Sequence, residues 1–354
     1  MNVTARYIKI NINIDIKIRG LYFMKFIDNK NITDPRINLA IEEYILDNFG
    51  EKDTYLLFYV NGPSIIIGRN QNTIEEINTD YVEENDIKVV RRLSGGGAVY
   101  HDLQNLNFSF ITKDDGESFH NFAKFTQPLV DVLNELGVPA ELEGRNDLVV
   151  EGRKISGNAM YSTRGRMFSH GTLMLDSEIE NVVKALNVNK AKIESKGIKS
   201  IRSRVANISE YLDEKISMDQ FKELILKYVF NVDDVKDVPQ YVLTEEDWQE
   251  IYKISDQRYQ KWEWNYGKSP SFNYKKSHKF PSGLLDVRLD VKKGVIENCT
   301  IFGDFFGLGE VSVLEERLKG VRYERKAIED ALEDIDVPYY LGKITEEEFV
   351  NLIY

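Results

Sequence analysis

The sequence predicts an α/β protein of two domains. Its 354 residues are 42% hydrophobic and 29% charged, which is a globular composition in a chain longer than most single domains. From Met24 onward, strand-like runs alternate with amphipathic helical segments. A stretch containing Gly and Pro at 266–270 interrupts a long helical pattern and precedes a second group of elements. We therefore expect a first domain at 24–267 and a small α+β domain at 268–354.

The first 23 residues have a pattern of their own. Isoleucine alternates with polar residues from Ile8 to Ile18, as in a strand with one apolar face. One interpretation is an added edge strand, and the other is an extension upstream of the true start at Met24. We favour the second interpretation, because chain termini are often not tied to the fold.

Each element of the first domain is predicted from its local pattern. Asp34 followed by Pro35 indicates a helix start, and apolar residues then recur at helical spacing as far as Ile45. Further helices are expected at 120–136, which Gly137 ends, and near 178–186, 218–229 and 245–262. Strands are expected at 54–60, 64–67, 88–92, 107–111, 147–150, 154–161 and 168–175.

The second domain is expected to begin with a small antiparallel meander and to continue with short helices. The strand patterns lie at 272–279, 284–291 and 295–302. The helical patterns lie near 314–318, 327–332 and 346–353.

Charge and cysteine content exclude several classes of function. The net charge is −12, from 58 acidic and 46 basic side chains, which disfavours nucleic acid and anionic membranes as partners. The single cysteine, Cys299, excludes an intramolecular disulfide, an iron–sulfur cluster and a thiolate zinc site. No apolar run approaches the ~20 residues of a membrane span, and no signal-peptide core follows Met1. We expect a soluble, cytoplasmic protein.

The densest motif, at 91–102, reads Arg-Arg-Leu-Ser-Gly-Gly-Gly-Ala-Val-Tyr-His-Asp. Three consecutive glycines leave backbone N–H groups open to an anion, and Arg91 and Arg92 add planar donors for phosphate or carboxylate. A plain hairpin turn is the alternative, but it needs fewer glycines and no arginine pair. The pattern is neither a Walker A motif nor a dinucleotide fingerprint. It favours an anion-binding loop.

A second motif pairs a carboxylate with an ammonium group. Asp147 opens one predicted strand and Lys154 opens the next, with a Glu-Gly turn between them. A lysine beside a phosphate-binding loop can neutralise a carboxylate and the phosphate that it attacks. Small residues at Gly157 and Ala159 allow a ligand to approach the strand closely. The alternative, that Arg153 and Lys154 form a solvated basic turn, stays open.

Two histidines border these motifs. His170 opens the run His-Gly-Thr-Leu, and His101 follows the glycine loop. A lone histidine is more often structural than catalytic, so His170 alone is weak support for a site. The basic residues near both motifs stand out in an acidic chain, as a site for a small polyanion requires.

Taken together, these motifs resemble those of lipoate–protein ligases. The resemblance rests on the loop at 91–102 with Asn-Leu-Asn-Phe-Ser-Phe after it, and on Arg-Asn-Asp-Leu at 145–148. It also rests on Lys-Ile-Ser-Gly-Asn-Ala at 154–159, His-Gly-Thr-Leu at 170–173 and Ser-Arg-Val-Ala-Asn at 203–207. The resemblance extends from about Met24 to the C-terminus and leaves residues 1–23 outside it.

The resemblance implies a biotin/lipoyl-ligase-like catalytic domain with mixed sheets and flanking helices, followed by a small α+β accessory domain. It implies that lipoate attacks the α-phosphate of ATP, with magnesium, to give lipoyl-adenylate and pyrophosphate. An acceptor lysine then takes the lipoyl group. The implied acceptors are the lipoyl domains of 2-oxoacid dehydrogenase acyltransferase subunits and the glycine-cleavage H protein. We expect a monomer with no tightly bound prosthetic group.

The resemblance also assigns roles to residues. Lys154 would be catalytic and would contact both the lipoate carboxylate and the α-phosphate. The nucleotide would be bound by Arg92, Gly97, Ala98, Val99, Tyr100, Asp147 and Lys154, with Asp147 as a candidate magnesium ligand. Lipoate would be bound by Arg91, Ser94, His101, Lys154 and His170.

Three other functions fit the sequence less well. Octanoyl- and lipoyl-transferases of the same superfamily use a cysteine acyl carrier, but Cys299 lies far from the motifs in sequence. Biotin ligases are characterised by a different glycine–arginine loop, which this sequence lacks. A binding regulator that has lost catalysis is expected to lack the lysine or the arginine, whereas Lys154 and Arg92 are both present.

Overall fold

The structure, a computed structural model, describes residues 24–49, 53–186, 203–266, 274–292, 294–323 and 325–354. The N-terminal extension before Met24 and the predicted domain boundary at 267–270 lie outside the described residues. Within these ranges, no helix is long and apolar enough to cross a bilayer.

The strands, in chain order, are β1 (Met24–Asp28), β2 (Thr54–Val60), β3 (Ser64–Ile67), β4 (Lys88–Arg91), β5 (Val99–His101), β6 (Asn105–Lys113), β7 (Ala140–Glu143), β8 (Asp147–Val150), β9 (Arg153–Thr163), β10 (Arg166–Met174), β11 (Tyr274–Phe280), β12 (Gly283–Lys292) and β13 (Val295–Gly303). The helices are α1 (Pro35–Asn48), α2 (Thr73–Glu76), α3 (Thr79–Glu84), α4 (Phe122–Glu135), α5 (Ile179–Ala185), α6 (Met218–Phe230), α7 (Glu245–Ile254), α8 (Trp262–Asn265), α9 (Ser312–Leu318), α10 (Arg325–Leu332), α11 (Val337–Leu341) and α12 (Glu346–Ile353).

The central sheet has the spatial order β1-β2-β6-β10-β9-β8-β7. Strands β1 and β2 are parallel, and every other pair of neighbours in this sheet is antiparallel. Both faces are covered, which is why β2 reads as an unbroken run of large residues rather than an alternation. Leu56 and Phe58 pack towards α4 and α6, whereas Tyr55 and Leu57 pack towards α1 and α7.

A second, smaller sheet lies on the α1 side of the molecule. Its order is β4-β3-β5, with β3 parallel to β4 and antiparallel to β5. Ile66 of β3 and Val90 of β4 share the hydrophobic cluster of α1. The glycine-rich loop connects β4 to β5, so this sheet presents the loop beside α1 and the central sheet.

The C-terminal residues form a unit with its own core. Strands β11, β12 and β13 make an antiparallel sheet, and its apolar residues cluster with those of α9, α10 and α12. The mixed α/β architecture with a small α+β C-terminal unit confirms the predicted fold class.

Most predicted elements are confirmed, with shifts at their ends. The helix predicted at 120–136 begins only at Phe122, because the Asn121 side chain accepts from the backbone N–H of Lys124 and caps it. Strands β1 and β7 and helices α2, α3 and α11 were not predicted, since each is short and has little periodicity.

The helix predicted at 245–262 is confirmed over Glu245–Ile254, but it does not continue as one α-helix to its predicted end. The α-helix ends at Ile254 and continues as one π turn over Ser255–Tyr259 before a separate short helix, α8. The wider turn places Tyr259 in the core at 1% exposure and Arg258 within 3.3 Å of Glu43. This segment therefore packs against α1 through its π turn.

Candidate active site

The glycine-rich loop is folded around the guanidinium group of Arg92. Its Nη2 donates to the carbonyl oxygens of Gly95 (2.6 Å) and Gly97 (2.9 Å). Gly96 has a φ of +91°, and a Cβ atom there would lie 2.9 Å from the same nitrogen, so glycine is required. Burial lowers the pKa of Arg92 to about 10, which leaves it charged at neutral pH. Arg92 thus shapes the loop, whereas Gly97 lies exposed at its tip.

Arg91 points away from this loop. Its Nη1 donates to the carbonyl oxygens of Gly68, Arg69 and Gln71, at 2.7–3.0 Å. Its Nε donates to the Trp264 carbonyl at 2.9 Å. The structure therefore surrounds this predicted lipoate-binding residue with protein acceptors and ties β4 to two other segments. Its predicted contact with lipoate stays a prediction.

The remaining loop residues predicted to bind nucleotide are contiguous with the glycines. Ala98 is half-buried between the loop and β5, and Val99 and Tyr100 open that strand. Burial raises the pKa of Tyr100 to about 12, so its phenol is neutral. Because Ala98 and Tyr100 pack against the cluster around Ile65, their backbone groups, rather than their side chains, are suited to contact a nucleotide.

Lys154 and Asp147 lie together, as the hairpin pattern predicted. Lys154 Nζ is 2.8 Å from Asp147 Oδ1, and both side chains are 38% exposed. The motif at 203–207 fixes the lysine backbone, because Lys154 N donates to the Arg204 carbonyl at 2.8 Å and Ala206 N donates to the Lys154 carbonyl at 2.9 Å. A rigid backbone thus carries a partly exposed ammonium group.

A strip of small residues leads from this ammonium group along β9. Lys154 Nζ lies 3.0 Å from where a Cβ of Gly157 would stand, so the lysine head occupies the face of the sheet to which Gly157 belongs. Ala159 shares that face, because side chains alternate along a strand. His170 of β10 lies directly opposite Ala159 and therefore points to the same side. The Gly157–Ala159 strip thus connects Lys154 with His170.

A buried polar chain closes the far end of this strip. Arg92 Nε donates to Ser94 Oγ at 3.0 Å, and Ser94 Oγ is 2.7 Å from His170 Nε2. His170 Nδ1 is 2.9 Å from Glu42 Oε1. A guanidinium group only donates, so Ser94 Oγ accepts from Arg92, and a carboxylate only accepts, so His170 Nδ1–H donates to Glu42. We call Arg92, Ser94, His170 and Glu42 the polar chain.

Glu42 is a site residue that the sequence analysis missed. It is 2% exposed on α1 and lies 128 residues before His170 in the sequence. A signal was present, because Asn38 and Glu42 are four residues apart and share a helix face with Ile45. Polar residues on the apolar face of a helix require partners, which only the tertiary structure identifies.

The C-terminal unit contacts the same loop. The Phe305 backbone and the Phe306 ring pack against Gly95 and Gly96. The Arg145 guanidinium group lies 4.4 Å above the Phe306 ring centroid and donates to the Ser282 carbonyl. These contacts place the C-terminal unit over the glycine loop.

Further ion pairs hold the two units together. Arg288 of β12 forms a bidentate pair with Glu75 of α2, with Nη1–Oε1 and Nη2–Oε2 distances of 2.6 and 2.5 Å. Gly303 N donates to the Asn70 carbonyl at 2.7 Å. Arg91 anchors the same turn around Asn70 from the other side. This turn therefore connects the C-terminal unit with β4, the strand that leads into the glycine loop.

The arrangement suits the activation of a carboxylate. An ammonium group stands at one end of a strip of small residues, and Arg92 of the polar chain at the other end binds the glycine-rich loop, whose exposed Gly97 offers a backbone N–H group. Such a site neutralises charge and positions reactants without a covalent nucleophile. Cys299, the only cysteine, is buried in the core of the C-terminal unit, where burial raises the pKa of its thiol.

Two family models match the chain. The model described as lipoyl protein ligase A/B catalytic domain matches residues 34–230, and the one described as bacterial lipoate protein ligase C-terminus matches residues 269–353. Among curated proteins, lipoate-protein ligase LplJ of Bacillus subtilis is 65% identical over 331 residues, which cover 94% of this chain and 100% of that protein.

Solved structures show the same similarity. P. falciparum LipL1 in complex with lipoate superposes with a TM-score of 0.73 at 25% identity, covering 93% of this chain and 97% of that chain. The Thermoplasma acidophilum bipartite lipoate protein ligase, solved with its E2 lipoyl domain, gives 0.62 at 28% identity, covering 71% and 99%. A lipoate-protein ligase A bound with ATP gives 0.59 at 27% identity, covering 69% and 98%.

Proposed function

The chain belongs to the lipoate–protein ligase family, and from this premise we propose that it activates free lipoate with ATP and transfers the lipoyl group to an acceptor lysine. One observation carries the proposal: Lys154 Nζ lies at the open end of the Gly157–Ala159 strip, and the polar chain closes the other end. The strip accommodates an acyl chain whose carboxylate meets the lysine. The relatives named for lipoate ligation and the structures with lipoate and ATP support it.

The first step forms a mixed anhydride. A carboxylate oxygen of lipoate attacks the α-phosphorus of ATP, the bond to the bridging oxygen breaks, and pyrophosphate leaves. Negative charge accumulates on the α-phosphate oxygens in the transition state, so Lys154 is the residue suited to neutralise it. Backbone N–H groups from Gly97 to Tyr100 are suited to hold the phosphates, as in other glycine-rich anion sites.

The second step transfers the acyl group. The amine of an acceptor lysine attacks the carbonyl carbon of lipoyl-adenylate, the bond to AMP breaks, and the amine releases a proton to solvent. Lipoyl domains of acyltransferase subunits and the glycine-cleavage H protein are the acceptors we propose. A structural relative was solved with an E2 lipoyl domain, which supports the first of these.

Magnesium is part of the proposal through Asp147. Within the described ranges, no group of three His, Cys, Asp or Glu side chains could hold a metal ion by itself. Mg²⁺ commonly uses one or two carboxylates together with substrate phosphates, and Asp147 stands beside Lys154 where those phosphates would lie. There the ion would neutralise phosphate charge.

The remaining parts of the proposal concern organisation and location. We propose residues 24–267 as the catalytic domain and 268–354 as the accessory domain, in agreement with the two matched family models. A monomer in the cytoplasm, where ATP is available, completes the proposal.

Pyrophosphate release tests the ligase function directly. The wild-type protein is incubated with lipoate, ATP and Mg²⁺, and release is measured with and without an acceptor lipoyl domain. We expect release that depends on lipoate, and a mass increase of the acceptor by one lipoyl group when it is present. Absence of both signals with folded protein contradicts the proposal.

A further inference from the structure

The sheet of the C-terminal unit extends past its contact with α2. Arg288 of β12 pairs with Glu75 of α2 and is 7% exposed, and Asp286 on the same face is 8% exposed. Leu284 is the next residue of β12 on that face, and it is 40% exposed. Lys279 of β11 lies directly opposite Leu284 and is exposed as well. The covered part of this face therefore ends before the Lys279–Leu284 pair.

Arg145 borders the same end of the sheet. Its guanidinium group donates to the carbonyl oxygen of Ser282, which lies two residues before Leu284 in the turn between β11 and β12. Burial lowers the pKa of Arg145, whereas the charges of Asp304 and Asp147 raise it, so both carboxylates lie near the guanidinium group. The sheet-end patch, as we call it, consists of Arg145, Lys279 and Leu284.

The two cations of the sheet-end patch have no close counter-charge. Within the part of the chain that the structure describes, neither Lys279 nor Arg145 forms an ion pair with a carboxylate. Lys275, on the same face of β11, does have such a partner, because its Nζ is 3.1 Å from Asp286 Oδ2. In a chain of net charge −12, the two cations are therefore available to a partner of opposite charge.

The sheet-end patch continues into the candidate active site. One residue separates Arg145 from Asp147, and Asp147 Oδ1 is 2.8 Å from Lys154 Nζ. The Lys154 side chain is 38% exposed, so it is open to solvent on this side of the molecule. The Phe306 ring, which touches the glycine loop, lies 4.4 Å from the Arg145 guanidinium group. A protein that covers the patch therefore holds its nearest side chains at the open end of the Gly157–Ala159 strip.

An acidic acceptor protein is the partner that this patch fits. Most of the surface of a chain with net charge −12 repels such a protein, so the two cations orient its approach. Leu284 adds apolar contact area, and interfaces commonly combine an apolar centre with a polar periphery. A second copy of this chain is also acidic, but it has no part in the reaction, whereas the acceptor has to present its lysine next to Lys154.

We propose that the sheet-end patch is a docking surface for the acceptor protein of the second step. Carboxylates of the acceptor contact Arg145 and Lys279, and an apolar side chain of the acceptor covers Leu284. The inference rests on the proposed function and adds the chemistry by which the acceptor is recognised. Contacts of this kind act on acyl transfer and not on adenylation, because the acceptor enters the reaction only after lipoyl-adenylate has formed.

Charge reversal at Lys279 provides the test. In Lys279→Glu, two steps are measured separately: the burst of pyrophosphate from lipoate and ATP without acceptor, and the lipoylation of a recombinant E2 lipoyl domain. We expect an unchanged burst and a KM for the lipoyl domain that is raised about three- to tenfold at low salt. In roughly 0.5 M NaCl this difference should disappear, since salt screens exposed charges.

Lys276→Glu is the matched control. Lys276 is exposed on the same strand, but its side chain lies on the opposite face, over the Tyr274 ring. Because both variants change the net charge equally, we expect the KM of Lys276→Glu for the lipoyl domain to stay within about twofold of wild type. Leu284→Ser removes apolar contact area and no charge, so it should raise this KM by about threefold at both salt concentrations.

Several results overturn the inference. These are an unchanged KM in Lys279→Glu, an equal rise in Lys276→Glu, or a smaller pyrophosphate burst in folded Lys279→Glu, with folding verified by circular dichroism. A wild-type dimer that Lys279→Glu dissociates assigns the patch to a second copy and also overturns it. Absence of the burst in the wild-type protein contradicts the proposed function instead.

Discussion

Lys154→Met separates catalysis from stability. The change removes the ammonium charge and keeps an unbranched apolar stem of similar length. In the folded protein the ammonium group is 2.8 Å from Asp147, with both side chains 38% exposed. Solvent screens a pair of this exposure, so its contribution to the free energy of unfolding is about 0–1 kcal/mol. We therefore expect a shift in Tm of only a few degrees.

The expected effect on catalysis is much larger. Loss of one preorganised group that stabilises developing charge typically costs about 10²–10³ in kcat, or roughly 3–4 kcal/mol. In the proposed reaction Lys154 meets both the carboxylate and the α-phosphate, so we expect the upper part of this range. The assay is lipoate-dependent pyrophosphate release, with kcat and KM measured separately for lipoate and for ATP.

Lys25→Met is the matched control. Lys25 Nζ is 2.7 Å from Asp53, and its side chain is 39% exposed, which closely matches Lys154. Lys25 lies on the edge strand β1 of the central sheet, whereas Lys154 lies on β9. We expect its kcat/KM to stay within twofold of wild type. Turnover by Lys154→Met within twofold of wild type, or an equal loss in Lys25→Met, refutes the reasoning.

Three further predictions follow from the site and from the C-terminal unit. Gly96→Ala forces a side chain into a φ of +91° against Arg92, so the free energy of unfolding measured in urea should fall by about 1–3 kcal/mol. Gly97→Ala is the control: its Cβ would meet open space, so the free energy of unfolding should be nearly unchanged. Burial lowers the pKa of His101 from its ordinary 6.5 to about 3 in the folded state. The neutral ring therefore contributes fully to the free energy of unfolding above pH 6.5. Between pH 6.5 and 3 this contribution declines by about 1.4 kcal/mol per pH unit, because only the unfolded state takes up the proton. Urea titrations between pH 4 and 7 should show a shallower decline for His101→Gln, and identical slopes would contradict this assignment. Cys299→Ala should retain full lipoate-dependent pyrophosphate release, because the thiol is buried in the core of the C-terminal unit; loss of activity in a folded variant would support thiol transfer instead.

The sequence alone was sufficient to predict the helices and strands whose caps, alternation and turn residues are local signals. Asp34 caps α1 by accepting from Arg36 N at 2.9 Å, as the Asp-Pro pair indicates. Alternation and turn residues located β8 and β9, and the hairpin between them brought Asp147 beside Lys154. The ordered motifs, read as a resemblance, were sufficient for the family.

Local signals were insufficient to predict the backbone conformation of segments that pack against distant parts of the chain. The π turn at Ser255–Tyr259 contains neither Gly nor Pro, and it forms where Tyr259 and Arg258 meet α1. The pairing of β1 with β2 joins segments separated by a helix, and β1 is too short to show a period. Such elements depend on packing energy that no window of sequence contains.

The two arginines of the glycine motif show the same division within the site. Sequence placed Arg91 and Arg92 together as anion ligands, since both are charged and adjacent to glycines. Arg91 ends β4 and Arg92 follows it, and their side chains have different partners: Arg91 anchors the supporting turns and Arg92 shapes the loop. The sequence by itself indicated most residues of the candidate site but not Glu42, which becomes visible only in the fold. The tertiary structure decided their roles, because a buried donor is defined by the acceptors around it, and Glu42 and Ser94 come from segments far apart in the chain.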